Sequence, residues 1–327
     1  MSVELFQQLT QVLTKGAAVL ATVTQIKGSV PREVGAKMII DADGQIMNTI
    51  GGGAGEAKVI CQAMQVLETG EKQFVEIDLS GVRQRETQGV CGGRMQVWLE
   101  RWSGESAIAL SQKILQLLKA GQSVTLITPF TPNQQPYILD NFSPIPQLEN
   151  AFIEQIEPPP TLLIIGAGHV GEQLAKFAHL IGFEIAIQDD RIEFANPEKF
   201  PQANLIFNQP INSIINNFAD FSQLYIALVT RGYMYDLEAL QILLNHNITC
   251  KYIGMIGSEK RVKFVYRKLQ EMGVSPELFS NIYAPIGLEI GALTPEEIAV
   301  SICAELILVR RGGTGKSISQ SMKKLLA

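Results

Sequence analysis

Short, continuous apolar runs alternate with helix-period patterns in the second half of the chain. We predict strands at 162–166, 184–189, 205–207, 224–230 and 250–257, and helices at 169–182, 236–246 and 259–272. A last helix is predicted to begin at Thr294, an N-cap that is followed by Pro295 and the capping-box residue Glu297. Because parallel strands covered on both faces read as unbroken apolar runs, this pattern predicts a doubly wound, Rossmann-like parallel sheet of the α/β class.

The first half mixes strand-like and helix-like stretches. The runs AAVLATVTQIKG and RMQVWLERW are typical of strands, and AKMIIDADGQIM resembles a hairpin that turns at Asp43-Gly44. Between them, AGEAKVICQAMQVLETGE has apolar residues at helical spacing and stops at Gly70. These patterns predict a separate N-terminal domain of the α/β or α+β class.

A proline-rich segment separates the two patterns. Residues 129–161 are dense in Pro, Asn and Gln and close with three consecutive prolines, which neither a helix nor a central strand accommodates. We therefore expect an N-terminal domain at 1–128, a linker at 129–161, a Rossmann-like domain at 162–311 and a flexible tail at 312–327.

Composition narrows the classes of partner and location. The 327 residues are 46% hydrophobic, enough for two cores, and the net charge is −5 with no long Lys or Arg run. This balance argues against nucleic acid or an anionic membrane as a partner. The start lacks a signal-peptide pattern and no apolar run approaches about 20 residues, so we expect a cytoplasmic protein. The four scattered cysteines indicate free thiols and suggest no zinc site.

The clearest chemical motif is the pattern G-x-G-x-x-G at Gly166, Gly168 and Gly171, which lies between a predicted strand and a predicted helix. In this context the glycines permit a tight turn, close backbone approach to a pyrophosphate and helix packing on the strand. His169 begins the helix, where its ring either reaches a ligand or packs locally. Asp189 or Asp190 follows the next strand and could accept a hydrogen bond from a ribose hydroxyl. The alternative is a vestigial turn that binds nothing, and the motif does not separate nicotinamide from flavin or pterin.

Two further segments of the first half are candidates. Gly51, Gly52 and Gly53 precede a helix, where they could cradle an anion or form a structural turn. Cys91 stands before two glycines with Arg94 nearby, which would favour a thiolate, although a buried, inert thiol is the alternative.

The sequence resembles the xanthine dehydrogenase accessory family of the XdhC and CoxI type. In the first half the resemblance is carried by GSVPREVGAKMII, GGGAGE and CGGRMQV. In the second half it is carried by GAGHVG, the DDR and EFA residues at 189–195, VTRGY, YIGMIGS and PIGLEIGALTPEEIAVSICAEL. The chain departs from the pattern at Tyr233, where many relatives have histidine, and at Ala54, where CoxI relatives often have cysteine.

The resemblance implies a chaperone that binds the molybdenum cofactor, as molybdopterin or its dinucleotide form, and delivers it to a xanthine dehydrogenase or related molybdenum hydroxylase. It also implies sulfuration by a cysteine desulfurase, and we expect a homodimer. Beyond the residues above, the family strings supply Glu56, Arg191, Thr230, Gly257 and Ser258 as candidate cofactor-binding residues. We identify no metal ligand. The alternatives are an NAD(P)-dependent oxidoreductase and a nucleotide-sensing module that use the same loop, and Cys91 is the candidate thiol.

Overall fold

The buried apolar runs form separate sheets in the two halves of the chain. The computed structural model describes residues 2–79, 92–139, 148, 150–246 and 248–319. It divides into two units, Met1–Pro158 and Pro159–Ala327.

The first unit is built around an antiparallel sheet that carries helices on both faces. Its helices and strands are α1 (Ser2–Leu13), β1 (Ala18–Lys27), β2 (Lys37–Asp41), β3 (Ile46–Met47), α2 (Gly53–Thr69), β4 (Gln73–Asp78), β5 (Arg94–Trp102), α3 (Gly104–Lys119), β6 (Val124–Pro129), β7 (Tyr137–Leu139) and β8 (Ala151–Ile156). Five strands form the main sheet in the order β3-β2-β1-β5-β4, and all its pairs are antiparallel. The predicted hairpin at Asp43-Gly44 is confirmed, because β2 and β3 pair across it.

Alternate residues of β1 enter two different cores. Val19 and Ala21 pack beneath α2, whereas Ala18 and Leu20 pack with α1 and α3 on the opposite face. Successive side chains of a strand point to opposite faces, so burying both faces requires the unbroken apolar run that the sequence shows. The first unit is therefore a separate domain of mixed helices and antiparallel strands.

The segment that we predicted as a linker contains two strands. β7 and β8 pair on either side of β6 in a three-stranded sheet, with Val124 opposite Ile156 and Pro129 opposite Ala151. The division between the units falls at Pro158 and Pro159, inside the predicted range. The strands were missed because their short apolar stretches are interrupted by Pro, Asn and Gln.

The second unit is a doubly wound α/β domain, as predicted. Its helices and strands are β9 (Thr161–Ile165), α4 (His169–Leu180), β10 (Glu184–Gln188), β11 (Ala203–Phe207), α5 (Ile211–Ile214), β12 (Leu224–Leu228), α6 (Tyr233–Asn245), β13 (Tyr252–Met255), α7 (Glu259–Glu271), β14 (Ile282–Tyr283) and α8 (Pro295–Arg311). All six strands are parallel, in the order β11-β10-β9-β12-β13-β14. This is the order 3-2-1-4-5-6 of the Rossmann fold, which reverses direction between its first and fourth strands.

Both faces of the parallel sheet are covered. Leu162 and Ile164 of β9 pack with α4 and α8, and Leu163 and Ile165 pack with α5, α6 and α7. The predicted start of α8 is confirmed. The Thr294 hydroxyl accepts from the Glu297 backbone N–H, and the Glu297 carboxylate accepts from the Thr294 backbone N–H. Because the strands are parallel, the carboxyl ends of β9, β10 and β12 lie at the same edge of the sheet, and the helices on both faces hold them there.

Candidate functional site

The glycine-rich loop joins β9 to α4 at the point where the strand order reverses. Gly166 has a φ of 115°, and a Cβ placed on it would lie 2.6 Å from the backbone oxygen of Val229. A Cβ on Gly171 would collide with the backbone oxygen of Gly166. A Cβ on Gly168 would meet nothing within 4 Å. Packing therefore requires glycine at 166 and 171, whereas Gly168 borders open space that a ligand could fill.

The first turn of α4 faces the same space. Gly168 is the N-cap of the helix and supplies no side-chain cap, so the first N–H groups of α4 have no side-chain partner from the cap residue. His169 begins the helix and is exposed. Unpaired N–H groups and the helix dipole both favour an anion at such a terminus.

Asp189, just after β10, anchors the glycine-rich loop. Its carboxylate is 5% exposed and accepts from the Ala167 backbone N–H at 2.8 Å and from the Arg191 side chain at 2.8 Å through each oxygen. Burial alone would raise the pKa of Asp189, but the hydrogen bonds from Arg191 and Ala167 outweigh it and lower the pKa to about 2. Asp189 is therefore ionised and already bonded to the protein, and it holds the glycine loop against β10.

Asp190 forms the outer part of this edge. Its two oxygens each lie 2.9 Å from a nitrogen of Arg231, the third residue after the end of β12. The guanidinium carbon of Arg231 stacks 4.1 Å from the ring centre of Tyr235, and the guanidinium donates to the Tyr235 hydroxyl. The hydrogen bonds from Arg231 to Asp190 and Tyr235 raise the pKa of Arg231 further above its ordinary value. Half of the Asp190 side chain remains exposed, unlike that of Asp189.

A cleft of about 180 Å³ opens between these groups. Its lining comes from the ends of β9, β10 and β12 and from the starts of α5 and α6. The lining residues are Ile165, Gly166, Gln188, Asp189, Asp190, Pro210, Ile211, Thr230, Arg231, Tyr235, Glu238 and Ala239. The cleft thus combines an apolar floor with a charged mouth, at the position where open α/β sheets bind their ligands.

A buried ion pair fixes the loop after β12. The Thr230 hydroxyl lies 2.6 Å from Asp236 Oδ1, and Arg261 Nε lies 2.7 Å from Asp236 Oδ2. Asp236 is completely buried, and this burial raises its pKa although Thr230 and Arg261 oppose the shift. Arg261 also donates to the Thr230 hydroxyl at 2.9 Å. The network joins β12, α6 and α7 and holds Thr230 beside Gly166.

Gly257 and Ser258, at the end of β13, belong to the support of this network. Ser258 caps α7 by accepting from the Arg261 backbone N–H, and a Cβ on Gly257 would lie 2.9 Å from Cδ of Arg261. The six predicted residues Gly166, Gly168, Asp189, Asp190, Thr230 and Arg191 are therefore brought together, whereas Gly257 and Ser258 reach them through Arg261.

A carboxylate of the protein itself accepts hydrogen bonds from the glycine turn before α2. The Glu56 carboxylate accepts from the Thr49 hydroxyl at 2.5 Å and from the backbone N–H groups of Ile50 and Gly52 at 3.1 Å. Burial opposes these hydrogen bonds, but they prevail and lower the pKa of Glu56. The Glu56 carboxylate and the Thr49 hydroxyl thus accept from the N–H groups of Gly52 and Gly51, two of the three that we expected to cradle an external anion.

The three sequence segments of the first unit that carry the family resemblance meet beside this turn. Gly51 faces Pro31, whose ring a Cβ on Gly51 would overlap, and a Cβ on Gly28 would lie 3.0 Å from the oxygen of Gly92. Gly93 faces the backbone of Ser29. Close backbone packing explains these glycines. The candidate thiol Cys91 lies outside the described residues.

Sequence reasoning missed Arg231 and Tyr235, which line the cleft, and Asp236 and Arg261, which form the buried ion pair that holds Thr230. A usable signal was present, because charged residues directly after a buried strand lie at the carboxyl edge of a parallel sheet. Tyr233, where many relatives have histidine, is partly exposed and packs edge-on against Phe264, with ring centres 4.8 Å apart.

The described residues contain no cluster of three or more His, Cys, Asp or Glu side chains that could hold a metal ion. In the same part of the chain, no helix has the length and apolar character needed to span a bilayer. The cysteines at 61, 250 and 303 are free thiols, as predicted, and Cys303 is buried.

Fold and cleft together define a Rossmann-type domain, joined to a second domain with an antiparallel sheet. Comparison with family models identifies the lineage: residues 162–306 match the XdhC Rossmann domain, and residues 13–78 match the XdhC and CoxI family. The chain belongs to the XdhC and CoxI family, which confirms the resemblance seen in the sequence.

Individual relatives agree with this assignment. The chain is 29% identical to a probable xanthine dehydrogenase subunit of Bacillus subtilis (strain 168), over 90% of this chain and 93% of that protein. It is 23% identical to the molybdenum cofactor insertion chaperone PaoD of Escherichia coli (strain K12), over 90% of this chain and 83% of that protein. It is also 28% identical to the uncharacterized protein YqeB of Escherichia coli (strain K12), of whose length it spans 44%.

A solved structure shows the same architecture over nearly the whole chain. A xanthine dehydrogenase from Bacillus halodurans, 26% identical, superposes with a TM-score of 0.77 and covers 97% of both chains. Among these relatives, two carry xanthine dehydrogenase in their names and one is named as a molybdenum cofactor insertion chaperone.

Proposed function

We propose that the chain binds the molybdenum cofactor in the crevice of its second unit and delivers it to a molybdenum hydroxylase, with xanthine dehydrogenase as the client. The observation that carries the proposal is the cleft at the strand-order reversal, which is lined by Gly166 of the glycine loop, by Asp190 and by Arg231. A phosphorylated pterin offers an anion for the N-terminus of α4, which follows the same loop, and a flat ring for the apolar residues of the cleft. The name of PaoD supports this ligand class.

Each part of the crevice then has a separate role. The open side of Gly168 and the first turn of α4 receive the phosphate or pyrophosphate, with His169 at the rim. In the dinucleotide form, Asp190 accepts from a ribose hydroxyl, since half of its side chain is exposed, whereas Asp189 is buried and bonded to Ala167 and Arg191. The cofactor is cargo, so we expect moderate affinity and release to a partner.

The proposal also covers the location of the protein, its oligomeric state and its partners. We propose a cytoplasmic homodimer that receives sulfur for the cofactor from a cysteine desulfurase, with Cys91 as the candidate contact thiol. The turn at Gly51, Gly52 and Gly53, held by Glu56, is proposed as a second contact surface for cofactor or client.

Reconstitution tests the proposal. The protein is mixed with apo-hydroxylase, molybdenum cofactor and a sulfur source, and recovered hydroxylase activity is measured. Gly168→Val should abolish both the gain in activity and the binding of cofactor measured by calorimetry, because its branched side chain fills the open side of the loop. Gly16→Val is the matched control, since Gly16 also borders open space and belongs to the first unit.

Two outcomes would contradict the proposal. Unchanged cofactor binding by a folded Gly168→Val protein would remove the loop from the site. Steady nicotinamide turnover on a small substrate, with no effect on the hydroxylase, would instead identify an NAD(P)-dependent oxidoreductase.

A further inference from the structure

Arg231 forms ion pairs across the crevice over the end of β9, with Asp190 at 2.9 Å and more loosely with Asp189 at 3.5 Å. The strands lie in the order β10-β9-β12, and Asp190 follows β10 while Arg231 follows β12. Two strand spacings amount to roughly 9–10 Å, a gap that these two side chains close across the glycine loop. A Cβ on Gly166 would lie 3.1 Å from Cα of Thr230, so Thr230 contacts the glycine loop and Arg231 is the next residue along the chain. Gly166 of the loop and this pair line the same cleft.

Arg231 is presented in the orientation that suits a phosphate. Its two terminal nitrogens each bond one oxygen of Asp190 at 2.9 Å, and its flat face rests on the ring of Tyr235. The planar guanidinium forks onto a carboxylate and onto a phosphate with the same paired geometry. Asp190 therefore occupies the position that two phosphate oxygens would take.

We propose that Arg231 recognises a phosphate group of the ligand and that Asp190 is the internal substitute that the phosphate displaces. This inference rests on the proposed function and names the anion-recognising residue of the same crevice. It concerns the phosphate ester itself, whether it is the terminal phosphate of a pterin or the pyrophosphate of a dinucleotide.

Two neighbouring arginines are poorly suited to exchange partners. Arg191 is bonded to both oxygens of Asp189, which is buried and also bonds the glycine loop. Arg261 is bonded to the fully buried Asp236. Separating either pair would leave a buried carboxylate without its cation, which is costly. Asp190 is 55% exposed, so water can solvate its carboxylate once Arg231 has turned to a phosphate.

Calorimetric titration of the full chain with two probes tests this exchange. Phenyl phosphate represents a terminal phosphate, and inorganic pyrophosphate represents the dinucleotide bridge. Asp190→Asn should bind the preferred probe about two- to five-fold more tightly, because the competing ion pair is lost. Arg231→Gln should bind it at least about ten-fold more weakly, because a charge-assisted fork is lost. The gain from Asp190→Asn should vanish when Arg231→Gln is also present.

The matched control is Glu271→Gln, which removes a half-exposed carboxylate that pairs with Lys268 at the end of α7 and does not line the cleft. It should leave both affinities nearly unchanged. An equal gain from Glu271→Gln, or a gain from Asp190→Asn that persists beside Arg231→Gln, would reveal unspecific charge repulsion and overturn the proposal. So would the absence of measurable binding of both probes to the wild type and to Asp190→Asn. If Arg231→Gln does not fold by circular dichroism, Arg231→Lys keeps the charge without the fork and should still lose affinity.

The same variants separate this inference from the proposed function. If reconstitution of the hydroxylase fails but Asp190→Asn still binds the probe more tightly in a way that requires Arg231, the phosphate site stands and the molybdenum cofactor is not its ligand. Successful reconstitution by the wild type without any effect of Asp190→Asn on probe binding would overturn only the role of Arg231.

Discussion

Replacing Arg261 by methionine should strongly destabilise the second unit. The substitution keeps an unbranched stem and a good helix former on α7, but it leaves the fully buried Asp236 without its cation. Removing one partner of a buried ion pair costs about 3–5 kcal/mol. For a unit of this size, about 2–4 °C of melting temperature is lost per kcal/mol, so Tm should fall by about 6–20 °C. Lys263→Met on the same helix is the control, because its exposed pair with Glu259 stabilises by about 0.5 kcal/mol or less.

The loss should depend on pH in a defined direction. Burial raises the pKa of Asp236 in the folded protein, and Arg261 opposes that shift. A group with a raised folded pKa stabilises the protein fully below its unfolded pKa, and this contribution is lost as pH rises through the folded pKa. Without Arg261 the folded pKa rises further. The destabilisation by Arg261→Met should therefore be larger at pH 7 than at pH 4, and Asp236→Asn in the same variant should restore part of the stability.

Urea unfolding measures this effect in each unit separately. Far-UV circular dichroism follows both units, whereas tryptophan emission follows the first alone, because Trp98 and Trp102 both lie there. Only the dichroism transition of the second unit should shift. A loss below about 1 kcal/mol, or an equal loss at pH 4 and pH 7, would show that the ion pair does not support the second unit electrostatically.

Other residues make independent predictions. Gly171→Ala should destabilise the second unit by about 1–3 kcal/mol, measured by urea unfolding, because its Cβ collides with a backbone oxygen of the loop, whereas Gly168→Ala should fold normally. The first unit should lose stability as pH rises through about 7, since burial raises the pKa of Glu100 to about 7 despite its pairing with a lysine; Glu100→Gln should remove this loss from unfolding curves followed by tryptophan emission. Iodoacetamide should alkylate the exposed Cys61 well before Cys250, whose pKa burial raises to about 12, and equal rates by mass spectrometry would contradict this order.

The sequence by itself determined what depends on neighbouring residues. Unbroken apolar runs defined the parallel strands, the capping residues at Thr294 and Glu297 defined the start of α8, and the glycine spacing defined the loop after β9. Each of these signals acts within a few residues, because periodicity, capping and positive φ are local properties of the chain. The start of α6 was predicted three residues late, at 236 instead of Tyr233, since helix ends are weakly marked.

Only the tertiary structure decided which distant residues meet. Asp190 and Arg231 are 41 residues apart, and they pair because β10 and β12 flank β9 in the sheet. Arg261 reaches Asp236 and Thr230 for the same reason, through the neighbouring strands β12 and β13. The pairing of β7 and β8 with β6 likewise arose from backbone hydrogen bonds between segments whose composition indicated a linker. Strand order and inter-strand hydrogen bonding join residues that are remote along the chain, so no local pattern reveals which charges share the crevice.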